Sequence, residues 1–247
     1  WLIGFSFTAQ PVNAAGIAII HTTFNLFTTA VLFPFIGCLE WLARRTIKDD
    51  AQGEKLVLLD SRLLKTPSVA IEQSRRLTVE MAYQAQRAIQ MADSLLDQYD
   101  PKVFARIEDT ELTIDQYEDR LGEYLVQVSS MRMSEAESRE VTKLLHSIGD
   151  FERISDHAVN ISEVAQEMHQ KGIQFSPEAQ HEAQTMRAAV REIVQLAVDV
   201  FANSDVKLAE KVEPLEEVVD RLRAIIKANH IERLRSGICT IELGFVL

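Results

Sequence analysis

Residues 150–160 read Asp150, Phe151, Glu152, Arg153, Ile154, Ser155, Asp156, His157, Ala158, Val159, Asn160. Read as a helix, this stretch sets two carboxylates, Glu152 and Asp156, one turn apart on one face. The same spacing recurs at Glu111 with Asp115 and at Glu216 with Asp220. A pair so placed can turn its oxygens toward one hard cation or grip a cationic partner. Its recurrence points to a duplicated helical module that carries polar sites.

The surroundings of each pair sharpen the choice. Around Glu152 an apolar seam runs Phe151, Ile154, Ala158, Ile161, Ala165, Met168, and the two carboxylates flank it. A solvated flank beside a core is the plain alternative to a metal site. Around Glu111 the seam runs Ile107, Glu111, Ile114, Glu118, Leu121, Leu125, Val128, so Glu111 and Glu118 fall on the seam itself. Burying an unpaired carboxylate costs several kcal/mol. A metal ion, water, or ion pairs with Arg120, Arg139 and Arg153 must then satisfy them. Redox chemistry of the di-iron bundle type needs Glu-x-x-His, and Ser155 stands three residues after Glu152. His157 lies about 100° round the helix from Asp156. No glycine-rich phosphate loop and no nucleophile with its base is present, so no enzyme is expected. His146, His169, His181 and His230 are placed on polar faces and take no role.

The elements that must hold these residues are helices throughout, because no segment alternates as a strand does. Thr66 or Ser68 opens the first, which runs to about Gln98. Asp100 and Pro101 open the second, to about Met131. Ser134 with Glu137 forms a capping box for the third, which Gly172 ends. Ser176 and Pro177 open the fourth, to about Asn203. Ser204 and Asp205 open the fifth, to about Arg235, where Gly237 stops it. A sixth begins after Ile238. The order long, medium, long repeats, so two three-helix units are expected, the second truncated. With its sixth helix incomplete, the second unit should leave apolar faces of its helices uncovered.

The 247-residue chain changes character near its start. The first 39 residues carry no charge, and the later ones carry nearly all of the net charge of −11. Residues 15–42 are apolar for long enough to cross a bilayer. Trp41 suits the interface, and Arg44, Arg45 and Lys48 follow it, which puts residues after about 45 in the cytoplasm. A signal peptide fits poorly, since no basic region precedes the apolar run. Asn13, Thr22, Thr23, Asn25, Thr28 and Thr29 make this helix too polar for a bare anchor, so it should pack against other membrane helices. His21, with Asn25 one turn on, is a candidate functional group inside the membrane, or a hydrogen bond that fixes packing. Cys38 and Cys239 make no disulfide framework. The acidic balance argues against nucleic acid. Trp1 at one end and the apolar Gly244, Phe245, Val246, Leu247 at the other read as cut ends of a longer protein.

Residues 150–160 closely resemble the D-L-E-R-I-G-D-H-A-x-N-I signature of PhoU-type domains, with Phe151 in place of Leu and Ser155 in place of Gly. Residues 59–70 resemble the junction between membrane part and PhoU-like tail in bacterial sodium-dependent phosphate symporters. Residues 18–34, with His21, Phe24 and Asn25, resemble the last membrane helix of those transporters. The resemblance implies an all-α chain. It comprises a terminal transmembrane segment (1–45), a linker (46–67) and a PhoU-like domain of paired three-helix bundles (68–247), incomplete at its end. It also implies bound metal, with iron, manganese and zinc as the expected ions. Glu111, Asp115, Glu152 and Asp156 would form one site, and Glu216 with Asp220 half of a second. Glu118, Asp150, Arg153 and Asn160 would support them. The implied place is the inner, cytoplasmic membrane, and the implied role is regulation of phosphate transport. The partner is a transporter core outside this chain, through which alone phosphate and sodium are met; a homodimer is compatible. The alternative is a helical signalling module behind a membrane receptor helix, which needs its seams in register through a parallel dimer. The breaks at Pro101, Gly172 and Ser204 favour hairpins within one chain instead.

Overall fold

The structure, a computed structural model, describes residues 14–33, 59, 61–172 and 175–237. The chain divides into two compact units, residues 1–55 and 56–247.

In the first unit the described element is α1, Ala14–Leu32. Its 19 residues span about 28 Å at 1.5 Å per residue, just short of a ~30 Å hydrocarbon core. Among the described residues no helix is long and apolar enough to cross a membrane, so the expected span is not established. Six polar residues from His21 to Thr29 lower the hydropathy of α1, and the remainder of the predicted span, with Pro34, Trp41 and the basic residues after it, lies outside the described residues. The predicted pairing of His21 and Asn25 is present: the Asn25 amide stands 3.3 Å from Nδ1 of His21, one turn away.

In the second unit a short 3-10 helix, Ser61–Lys65, leads into α2, Pro67–Leu95; α3, Pro101–Ser129; α4, Glu135–Lys171; α5, Pro177–Asn203; α6, Val206–Ala209; and α7, Val212–Arg235. The starts follow local chemistry. Pro67, Pro101 and Pro177 sit where a missing N–H costs nothing. The side chain of Asp100 accepts from the Lys102 N–H at 2.8 Å, and Ser134 with Glu137 closes the capping box. Thr66 precedes α2, but its side chain makes no capping bond. Gly172 ends α4 with φ +64°, a left-handed conformation that glycine adopts without strain.

Helices α2, α3 and α4 pack against one another as a three-helix bundle. Its core joins Leu77, Met81 and Ala85 of α2 to Ile114, Tyr117 and Leu121 of α3 and to Leu144, Ile148 and Phe151 of α4. Leu59, Leu63 and Leu64, from the predicted linker, pack against this core. Helices α5 and α7 form a hairpin, and α5 lies along α2. Among the described residues the second half buries little: Ala179 and Val198 on α5, and Ile226 and His230 on α7. Val218, Ile225 and Ile231 are exposed. The predicted sixth helix falls outside the described residues.

Three expectations need correction. The fifth helix is broken into α6 and α7 by a turn at Glu210 and Lys211. Pro214 explains the break: a continuous helix would drive its ring into the carbonyl of Glu210, while in the first turn of α7 it is harmless. The α3 seam runs through Ile107, Ile114, Tyr117, Leu121, Tyr124 and Val128, so Tyr117 takes the place expected for Glu118. Glu111 and Glu118 are half-buried flanks, not core residues. On α4 the buried line is Val141, Leu144, Ile148, Phe151, Ser155, Ala158, Ser162, Ala165 and Met168, and Ile154 and Ile161 are only half-buried.

Ser155 is fully buried, and its hydroxyl meets no hydrogen-bond partner among the described residues. Its neighbours in type solve this by bonding back to carbonyls: Ser74 to Ala70, Thr78 to Ser74, Ser162 to Val159. An unsatisfied buried hydroxyl costs about 1–3 kcal/mol. Ser155→Ala, which keeps the Cβ and removes only the hydroxyl, is expected to raise stability by about 1 kcal/mol and the melting temperature by about 2–4 °C. A lower melting temperature in a thermal scan would show that the hydroxyl is satisfied.

Candidate functional site

The outer face shared by α3 and α4 gathers five carboxylates. Glu111, Asp115 and Glu118 rise from α3 on the side next to its buried line, and Glu152 and Asp156 rise from α4. The helices run antiparallel, which sets the two sequence pairs against each other. Glu118 lies opposite Gly149, with its Oε1 3.9 Å from where a Cβ at Gly149 would stand. Glu111 lies within the field of Asp156.

The electrostatics are those of crowded like charges. Partial burial pushes the Glu111 carboxyl above the ordinary glutamate value, and the negative charges of Asp115, Asp156 and Glu108 push it further. Glu152 is raised for the same reasons, burial first, then Asp156, whose carboxylate is close enough to share a hydrogen bond, then Glu118 and Asp115. Both shifts favour the neutral acid because no counter-charge is at hand. Among the described residues no cation pairs with Glu111, Glu118, Glu152 or Asp156. Arg139, one of the arginines weighed for that task, bonds Glu135 within its own helix. The ion-pair alternative is therefore not realised on this face.

A hard cation with oxygen ligands fits this donor set by charge and chemistry. As the side chains stand, no three of them converge closely enough to hold an ion among the described residues, so binding would have to draw carboxylates of α3 and α4 together. Asp150, Arg153, Asn160 and His157 are exposed. The second predicted pair is different. Glu216 and Asp220 are exposed on α7, Asp220 pairs with Arg223 at 3.0 Å, and no described carboxylate from a facing helix joins them.

A cavity lies elsewhere, between α2, α4, α5 and α7. It measures about 590 Å³, with Ile89, Leu96, Ile161, Met186, Val190 and Ile226 among its lining residues. On its polar wall Asp93, Asp97, Arg187 and Arg191 are joined by ion pairs, and Gln90, Gln180 and Lys227 line it beside them. His230, expected on a polar face, is buried in this wall, and His169 stacks on Tyr99 with ring centres 5.0 Å apart. These cross-helix groupings escaped the sequence reading because their members stand far apart along the chain. Glu108 also escaped it, although its place three residues before Glu111 was a usable signal.

Comparison with known proteins agrees with this architecture. The PhoU domain family model matches residues 78–165 and 183–245, stretches that fall on α2–α4 and on α5–α7 with the residues after it. Over 108 residues the chain is 31% identical to the phosphate-specific transport system accessory protein PhoU homolog 1 of Thermotoga maritima, covering 44% of this chain and 46% of the relative. Over 152 residues it is 26% identical to PhoU homologs, named as accessory proteins of the same kind, from Pseudomonas putida and Pseudomonas aeruginosa. Those matches cover 61% of this chain and 59% and 62% of the relatives. The chain thus spans about half to three fifths of the length of these curated relatives. No solved structure matches significantly. With the signature on α4, the helical bundle and a family match over both halves of the second unit, the chain belongs to the PhoU domain family.

Proposed function

We propose that this chain regulates phosphate transport, and that it does so as the PhoU-like tail of a sodium-dependent phosphate symporter in the inner membrane, through a metal ion held by carboxylates on α3 and α4. The regulatory part of this reading is supported by relatives named as accessory proteins of phosphate-specific transport. The symporter part rests on the resemblance of residues 18–34 and 59–70 to such a transporter's last helix and junction. The metal part is supported by one observation: Glu111, Asp115 and Glu118 of α3 face Glu152 and Asp156 of α4 with no described cation among them, and partial burial together with this crowding raises Glu111 and Glu152 above their ordinary values.

Glu111 and Asp115 from α3, with Glu152 and Asp156 from α4, would hold the ion, and Glu118 stands beside them. The ion would supply positive charge where four like charges now repel. Gly149 leaves the side chain of Glu118 room beside α4. Because the ligands come from two helices, occupancy would tie α3 to α4 and stiffen the bundle. The signalling-coil alternative needs the apolar seams free for a parallel dimer. Here the seams of α2, α3 and α4 are consumed within one chain.

The test is metal content by elemental mass spectrometry, on the full chain and on a Glu152→Ala/Asp156→Ala variant with unchanged helix content. Bound iron, manganese or zinc that the variant loses is the expected result. Wild-type protein that stays metal-free after reconstitution, or a variant that keeps its metal, would remove the site. In the intact protein the same substitutions are expected to change the rate of phosphate uptake; unchanged uptake alongside lost metal would separate metal binding from regulation.

A further inference from the structure

The contacts between the two halves of the second unit are of a different kind from those inside the α2–α4 bundle. Within the bundle the helices meet through two apolar core clusters, one at each end. Between α2 and α5 the apolar contribution is small: Val198 and Phe201 reach one core cluster and Val194 the other. The rest of the joint is polar and sits at three levels. At the far end of α2, Arg187 bonds Asp93, donates to the Asp93 carbonyl at 2.8 Å, and grips both oxygens of Asp97 at 2.7 Å each. Arg191 pairs with the other oxygen of Asp93. Midway, Gln86 donates to Gln195. At the near end, Arg75 donates to the Ala202 carbonyl at 3.2 Å and to the Ser204 hydroxyl at 2.8 Å.

The Arg187 cluster is the strongest of these. Arg187 and Asp93 are about four-fifths shielded from solvent, so their attraction is less screened than that of a surface pair. The guanidinium also serves a carbonyl in the last turn of α2, where a cation is favoured. Bonding to Arg187 holds the Asp97 carboxyl below its ordinary value. The α5–α7 hairpin has its own separate tie: Glu182 of α5 accepts from Arg233, at 3.0 and 2.7 Å, and from Asn229, at 2.8 Å, both of α7. It can therefore keep its shape when the joint to α2 is broken.

We propose that the α5–α7 hairpin is a separable arm, latched to the α2–α4 bundle by Arg187 and Arg191 on Asp93 and Asp97, and that releasing the latch opens the arm while the bundle stays folded. Opening parts the walls of the 590 Å³ cavity, because α2 and α4 form one side and α5 and α7 the other. The device is independent of the carboxylate face on α3 and α4, so it stands or falls apart from the metal reading.

The experiment is hydrogen exchange read by mass spectrometry on the full chain, comparing wild type, Arg187→Ala and Arg187→Lys. In Arg187→Ala the amides of α5 and α7 are expected to exchange roughly 5- to 30-fold faster, with α2–α4 unchanged. Arg187→Lys keeps the charge but not the fork, and should fall between. Raising salt on the wild type should move α5 and α7 the same way, by less, through the exposed Asp97 and Arg191. Equal acceleration in both halves would make the unit one cooperative body and overturn the proposal, and so would no change in either half. Should Arg187→Ala fail to fold, the lysine variant and the salt series carry the same two outcomes.

Discussion

Leu121→Ala is expected to lower the unfolding free energy by about 2–5 kcal/mol. Leu121 is fully buried on α3, in the core cluster that joins α3 to Met81 of α2 and to Leu144 and Ile148 of α4. Truncation there removes apolar contact and leaves a cavity that three packed helices cannot collapse to fill. Ile225→Ala is the control, since Ile225 is exposed on α7 and should change stability by no more than about 0.5 kcal/mol. Urea denaturation of both variants decides the matter, with the slope held constant. Comparable losses would mean that the second half is packed as tightly as the first.

Manganese at about a hundred times its dissociation constant should stabilise the protein by about 2.7 kcal/mol, or about 5–11 °C in melting temperature. Glu152→Gln/Asp156→Asn should abolish that gain. In metal-free protein the same pair of changes should act in the opposite direction, raising stability by a few tenths to about 1 kcal/mol, because it removes like-charge repulsion. This reversal distinguishes a site from a merely structural pair, whose loss would cost stability in both conditions. The pH dependence carries the same signature. Glu111 and Glu152 are raised in the folded state, so their penalty is fully present above their folded values. It is relieved as pH falls through those values toward the ordinary 4.5. Asp97 and Glu182 are lowered by Arg187 and Arg233. Their contribution is present above the ordinary values of 3.8 and 4.5 and is lost as pH falls through their folded values. In chelator, Glu111→Gln/Glu152→Gln should therefore remove the gain in melting temperature between pH 7 and pH 4.5. A wild-type curve identical to the variant's would contradict the crowding of charges on this face.

Much of the second unit was legible because helix ends are local. Asp100 with Pro101, Ser134 with Glu137, Gly172, and Ser176 with Pro177 each satisfy or terminate a backbone within a few residues, and the helices start and stop there. The break at Glu210 was equally local, and Pro214 was the signal passed over. The carboxylate pairs were visible for the same reason: four residues along a helix is a fixed distance in space. Glu118 and Tyr117 mark the limit of this reading. They differ by one position, or about 100° of rotation, and a mixed seam admits either. Packing chose Tyr117 because its ring fills the core, while burying Glu118 would strand a charge.

By itself the sequence determined an all-helical chain, the ends of its helices, the carboxylate spacing and the resemblance of residues 150–160 to a known signature. These depend on backbone geometry over a turn or two. Only the tertiary structure decided which pairs meet: Glu111 and Glu118 of α3 with Glu152 and Asp156 of α4, while Glu216 and Asp220 stay exposed on α7. It also decided that Arg187 closes on Asp93 and Asp97, some ninety residues earlier. Such contacts depend on how whole helices cross, and that is set by the sum of many weak apolar contacts rather than by any spacing along the chain.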